Sequence, residues 1–167
     1  GNGSVSGFTR PATWEDVILV ARYFDEAGVE YAIIGGYALA AHGLSRFTQD
    51  IDVLVNPSAA NSRRWIAALS RLPDGAAREL EADPDVFAAQ KRYAIRVNDE
   101  ITVDILPGAA GQTWDELKPH ITQVEIDGAR VKVLDLEGLL KTKQVPRPKD
   151  QADAEAIRRA LELLKRS

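Results

Sequence analysis

The sequence predicts an α+β fold in a single domain. Three observations carry this expectation. Two strand pairs are joined by short turns, at Asn98-Asp99-Glu100 and at Asp127-Gly128. The strands gather in these hairpins instead of alternating strictly with helices, which disfavours a doubly wound parallel sheet. The chain has 167 residues, 45% of them hydrophobic, which suffices for one core. No internal repeat, low-complexity tract or linker interrupts it.

The elements follow in order. Residues 1–12, opening "GNGSVSG", read as a flexible tail or cloning remnant, and 13–167 as the domain. No methionine occurs, so the native start is expected to be missing. Thr13 reads as the N-cap of a first helix, with Asp16 three positions on and Val17, Ile18, Val20, Ala21 and Phe24 at helical spacing. Gly28 closes it. "VEYAIIG" (29–35) is a strand ending in glycine, and "GYALAAHG" (36–43) a short helix. "DIDVLV" (50–55) is a strand stopped by Asn56-Pro57. A helix follows over 59–72, halted by Pro73.

Residues 74–87 read equally as a loop or a short helical piece. "KRYAIRV" and "ITVDIL" form the first hairpin, and a helical turn is expected within 112–119. "ITQVEID" and "ARVKVL" form the second hairpin. Two helices close the chain, over 134–144 and 149–166, separated by Pro146 and Pro148. Asp150 reads as the N-cap of the last, with Asp153 completing the cap region. Trp14, Trp65 and Trp114 fall where core packing suits them.

Composition excludes several classes. There is no cysteine, so disulfides and thiolate metal sites are ruled out. No apolar run approaches the ~18 residues of a membrane span, and no secretory signal is visible, so a cytoplasmic location is expected. The formal charge of −4 gives no whole-molecule attraction for nucleic acid. From Lys141 onward, however, eight lysines and arginines stand against four acids. That local excess suits RNA or an acidic partner, or simply a solvated helix.

Two stretches carry chemistry. On a strand, Asp50 and Asp52 share one side and Ile51 and Val53 the other. The apolar pair can face the core while the acids face a cleft. At ~4 Å, like charges near a protein surface repel by about 4 kcal/mol. A divalent cation between them reverses the sign, and Mg²⁺ suits oxygen ligands shared with phosphates. In "ITVDIL", Asp104 is a lone acid on an apolar strand. If that strand lies beside 50–55, Asp104 joins the other two and can accept a proton. Gly35-Gly36 ends a strand and opens a helix, where unpaired N–H groups attract anions. Taken singly, the glycines read as a plain turn and Asp-Ile-Asp as a wet strand face.

Together they resemble the signature of the nucleotidyltransferase superfamily that includes DNA polymerase β. Its pattern is a hydrophobic strand, Gly-Gly or Gly-Ser, a gap, an apolar-flanked Asp-x-Asp, and a third acid downstream. Here thirteen residues separate Gly36 from Asp50, and Asp104 is the later acid. "GGYALAAHG" and "DIDVLV" look most like the small prokaryotic branch of minimal nucleotidyltransferases and AbiEii-like toxins. "KTKQVPRPKDQADAEAIRRAL" resembles the end of such domains. The resemblance implies a mixed, mostly antiparallel sheet with helices packed on it. It also implies Asp50, Asp52 and Asp104 as catalytic metal ligands for Mg²⁺ or Mn²⁺, and Gly35 and Gly36 as holders of an NTP's phosphates. The implied reaction is attack of a hydroxyl on the α-phosphorus, with pyrophosphate leaving.

Arg46, Thr48, Lys141 and Lys143 are further candidates for the phosphates, and Lys149 lies near them in sequence. His42 reads as packed or capping, and His120 carries no signal. The acceptor implied is a protein, a tRNA or a small molecule. A cognate toxin or antitoxin partner follows from the same likeness. Two other readings stand beside this one. They are a catalytically silent nucleotide-binding or antitoxin-like module, and an antibiotic adenylyltransferase.

Overall fold

The computed structural model describes residues 9–44, 47–87, 94–145 and 147–166. The predicted tail falls mostly in 1–8, outside the described residues. Its last residues are anchored. The Arg10 guanidinium donates to Asp16 at 2.6 and 2.9 Å, and Ala12 is buried. The Tyr37 hydroxyl donates to the Ala12 carbonyl.

Six strands form one sheet: β1 (Tyr31–Ile34), β2 (Ile51–Val55), β3 (Ile95–Asn98), β4 (Thr102–Leu106), β7 (Ile121–Ile126) and β8 (Ala129–Leu134). Their order is β3-β4-β2-β1-β8-β7. The β3/β4, β2/β1 and β8/β7 pairs are antiparallel, while β4/β2 and β1/β8 are parallel. The sheet is thus mixed and mostly antiparallel, as expected. Both predicted hairpins are present. At the second, Asp127 and Gly128 both take positive φ (49° and 82°), the backbone that a tight two-residue hairpin turn demands. A small extra hairpin, β5 (Gly108–Ala109) with β6 (Gln112–Thr113), was not foreseen. Two-residue strands leave no alternation to read.

The helices are α1 (Trp14–Ala27), α2 (Gly35–Ala41), α3 (Ala59–Leu69), α4 (Trp114–Leu117), α5 (Leu136–Lys141) and α6 (Pro148–Lys165). Asp16 reaches back to the Thr13 N–H at 2.8 Å, satisfying a donor left free at the helix start. The ambiguous stretch after Pro73 contains a 3₁₀ helix, Ala76–Ala82. One expectation is corrected. Asp150 is not the N-cap of the last helix. Pro148 sits at its first position, with Arg147 as the cap, because proline's fixed φ and missing N–H suit that place.

The core lies between the sheet and α1 with α3. On β1, β2, β4 and β3, alternation sends Tyr31, Ile33, Ile51, Val53, Val103, Ile105, Ile95 and Val97 to one face, and all are buried. α1 and α3 pack together, and Phe24 meets Tyr31 with ring centroids 5.0 Å apart. Each such aliphatic side chain contributes about 1.5–3 kcal/mol by leaving water. Trp65 and Trp114 are buried as predicted, and Trp14 packs edge-on against Tyr37 at 4.8 Å.

Candidate active site

The opposite face of the same four strands carries charge. The register places Ile34 opposite Asp52, Asp52 opposite Asp104, and Asp104 opposite Arg96. One row thus crosses four strands, from an apolar residue through two acids to a base on the edge strand β3. Neighbouring strands are only ~4.8 Å apart, so the two carboxylates are adjacent. The parallel pairing of β2 with β4 is what brings Asp104 beside Asp52.

Crowding shapes their chemistry. Burial pushes the Asp52 carboxyl up, the charge and hydrogen bonding of Asp104 and the charge of Asp50 add to it, and its pKa reaches about 7. The nearby Lys143 pulls partly the other way. Arg96 answers the charge on the other acids. Its Nε and Nη2 donate to the two oxygens of Asp104 at 2.8 and 3.1 Å, and Nη2 lies 3.6 Å from Asp50.

Gly35 fits against this group for two reasons. Its φ is +72°, a conformation costly for other residues. A Cβ there would also stand 2.3 Å from an Asp52 carboxylate oxygen. At Gly36, a Cβ would stand 2.6 Å from the Thr48 side chain. The Thr48 hydroxyl donates to the Asp50 carbonyl at 3.1 Å. The glycine pair therefore lets α2 start directly over Asp52 and the segment leading into β2.

A cavity of about 430 Å³ opens here, lined among others by Gly35, Asp52, Asp104, Arg96, Lys143 and Arg147. Lys143 is held by Asp150 at 3.2 Å and Asp153 at 3.1 Å. Arg147 donates to Asp150 at 2.7 Å. Burial alone would raise the Asp150 carboxyl, but Lys143 and Arg147 together hold it below the usual carboxylate range. Among the described lining residues, Gly36, Thr48, Asp50 and Lys141 do not appear. Asp50 joins the group through Arg96, 3.6 Å away, and through its charge on Asp52, and Lys141 is exposed. Arg46 lies outside the described residues. His42 caps α2 and its Nε2 donates to the Leu134 carbonyl at 2.8 Å. Lys149 is exposed, and His120 lies 3.1 Å from Asp135.

Sequence reasoning missed Arg96 and Arg147. The first was within reach. A hairpin around Asn98-Asp99-Glu100 that pairs Asn98 with Thr102 puts Arg96 opposite Asp104. Arg147 had no such signal, because its partner lies across a helix start.

The donor set suits an oxygen-ligated divalent cation. Asp104, register-paired with Asp52, and the nearby Asp50 add to the cost of ionising Asp52, and a cation relieves that cost. Among the described residues no three acids or histidines are already gathered as a metal cluster. The Arg96 fork occupies the approach between Asp50 and Asp104 instead.

Comparison with solved structures agrees with this fold. A protein from Thermotoga maritima assigned as a nucleotidyltransferase is similar over 90% of this chain and 91% of its own, at 15% identity and a TM-score of 0.52. At that identity the likeness concerns the fold alone. An antigenic nucleotidyltransferase-like protein from Paracoccidioides brasiliensis matches over 89% of this chain and 78% of its own, at 16% identity and a TM-score of 0.46. Comparison with curated proteins returns no match. Residues 18–145 match the family described as nucleotidyl transferase AbiEii toxin, type IV toxin–antitoxin system. That span is most of the chain and includes the glycine pair, all three acids and Lys143, and on it the chain belongs to the AbiEii nucleotidyltransferase toxin family.

Proposed function

We propose that the chain moves a nucleoside monophosphate from an NTP to a hydroxyl acceptor, with residues 13–167 as the transferase domain. The single observation that supports this best is the register of Asp52 with Asp104 under Gly35 at the mouth of the cavity. The acceptor oxygen bonds to the α-phosphorus. The bond from that phosphorus to its bridging oxygen breaks, and pyrophosphate leaves with the electron pair. Asp104 takes the hydroxyl proton. Asp50, Asp52 and Asp104 would hold Mg²⁺ or Mn²⁺, which supplies Lewis-acid stabilisation of the phosphoryl oxygens when bound.

Gly35 and Gly36 let the phosphates approach main-chain N–H groups. Arg46, Thr48, Lys141 and Lys143 are assigned to the same phosphates, with Lys143 the best placed because it lines the cavity. A larger cavity of about 1020 Å³ adjoins through Ala94, Leu106, Ala109 and Ala110, and offers room for the acceptor. The acceptor is assigned as a macromolecule, protein or tRNA, and the family points to a cognate antitoxin as partner. An NTP substrate belongs to the cytoplasm, and no described helix is long and apolar enough to cross a membrane.

The Arg96 fork on Asp104 favours one second reading, a module that binds nucleotide without turnover. Incubation with each α-labelled NTP, Mg²⁺ or Mn²⁺ and cell extract separates the two. Label transferred by the parent and not by Asp50→Ala/Asp52→Ala supports transfer. Equal label with both proteins, or none with either, sinks it. Metal-dependent NTP binding without label supports the silent module.

A further inference from the structure

Among the described residues, three cationic side chains line the cavity, and each is already engaged by a carboxylate. They differ in freedom. The Lys143 side chain is 12% exposed and held by two acids. Arg96 is 59% exposed, on an edge strand. Its fork covers both oxygens of Asp104 and points Nη2 toward Asp50. Those are oxygens that a bound metal would need. A guanidinium and a divalent cation cannot share one carboxylate edge without mutual repulsion.

We propose that Arg96 is an exchange cation. In the nucleotide-free protein it neutralises Asp104 and Asp50 and so competes with metal. When metal and NTP arrive together, it leaves the carboxylates and its fork binds a phosphate of the NTP. The planar fork fits phosphate as well as it fits carboxylate, and the exposed side chain has room to swing. Arg96 is thus both a brake on metal binding and a positioning residue for nucleotide. Metal and nucleotide then bind with positive coupling, since each removes an obstacle to the other. This inference rests on the nucleotidyltransferase reading of the three acids.

The test measures Mn²⁺ binding at pH 8 by titration calorimetry, with and without a non-hydrolysable NTP analogue. The proteins are the parent, Arg96→Ala, Arg96→Lys and Asp52→Asn. Arg96→Ala should bind Mn²⁺ alone about tenfold more tightly than the parent, yet bind the analogue with Mn²⁺ about tenfold more weakly. Arg96→Lys, which keeps the charge but loses the fork, should fall between. The exposed position makes misfolding an unneeded explanation, and a melting curve checks it. Mn²⁺ affinity of Arg96→Ala equal to or below the parent's overturns the exchange. If Asp52→Asn alone loses Mn²⁺ in that case, the metal reading survives and only the exchange fails. No Mn²⁺ binding by parent or Arg96→Ala, with or without the analogue, removes both.

Discussion

Asp104 and Ile105 are neighbours on β4, yet they belong to opposite worlds. Ile105 lies on the core face in register with Val53 and Ile95 and is fully buried. Asp104 faces the cavity between Asp52 and Arg96. The same holds for Val53 and Asp52 on β2. One face of these four strands is optimised for stability, by shape and exclusion of water. The other gathers like charges that cost stability until a cation meets them. A two-residue period separates a structural face from a chemical one with no change of backbone.

Single substitutions should split along this line. Asp52→Asn or Asp104→Asn should lower nucleotidyl transfer about thousandfold or more, while the protein stays folded. A transfer assay beside a melting curve checks both halves. On the other face, Ile105→Ala should lower stability by about 2–5 kcal/mol through the lost contacts and the cavity left behind. Its folded fraction should still transfer, which denaturant titration and a concentration-corrected assay would show. Full activity in Asp104→Asn, or unchanged stability in Ile105→Ala, would break the comparison.

The pH dependence sharpens it. The folded pKa of Asp52, about 7, lies above the 3.8 of an ordinary aspartate. A raised acid binds its proton more tightly when folded, so the metal-free protein gains stability from this group as pH falls from 7 toward 4. Above pH 7 the ionised group costs on the order of 4 kcal/mol at most. Asp52→Asn should therefore be more stable than the parent at pH 8 in a chelator, with the difference shrinking at pH 5. Denaturant melts at the two values read this directly.

The smallest contrast concerns the lysines. Lys143→Ala removes the cation that Asp150 and Asp153 share, leaves Asp150 paired with Arg147, and should cost about 1–3 kcal/mol. Lys141→Ala, two residues away and exposed, should change stability by no more than about 0.5 kcal/mol and raise the KM for NTP less than Lys143→Ala does. An unaltered KM in Lys141→Ala would remove it from the phosphate site.

Much of this was legible in the chain. Asp127-Gly128 named its hairpin because few residues accept positive φ at both turn positions. Gly28 marked a helix end for an equally local reason, whereas α3 ends at Leu69, short of the Pro73 expected to halt it. Asp150 misled, because Pro148 takes the first position of α6 and the Asp150 carboxylate pairs instead with the cap residue Arg147 and with Lys143 before it. The site was half visible. Gly-Gly and Asp-Ile-Asp lie within one short segment, and strand alternation already turned both acids one way.

The sequence by itself determined the α+β class, the two hairpins, the apolar and acidic sides of β2, and the likeness that suggested the chemistry. These are matters of local backbone preference and short-range period. Only the tertiary structure decided that β4 lies parallel beside β2, that Asp104 stands opposite Asp52, and that Arg96 closes the row. Nearly fifty residues separate β2 from β4, and no local preference sets the register across such a gap. Burial of Ile51 and Val53 against Val103 and Ile105 sets it, and the alignment of the acids on the opposite face follows from that packing.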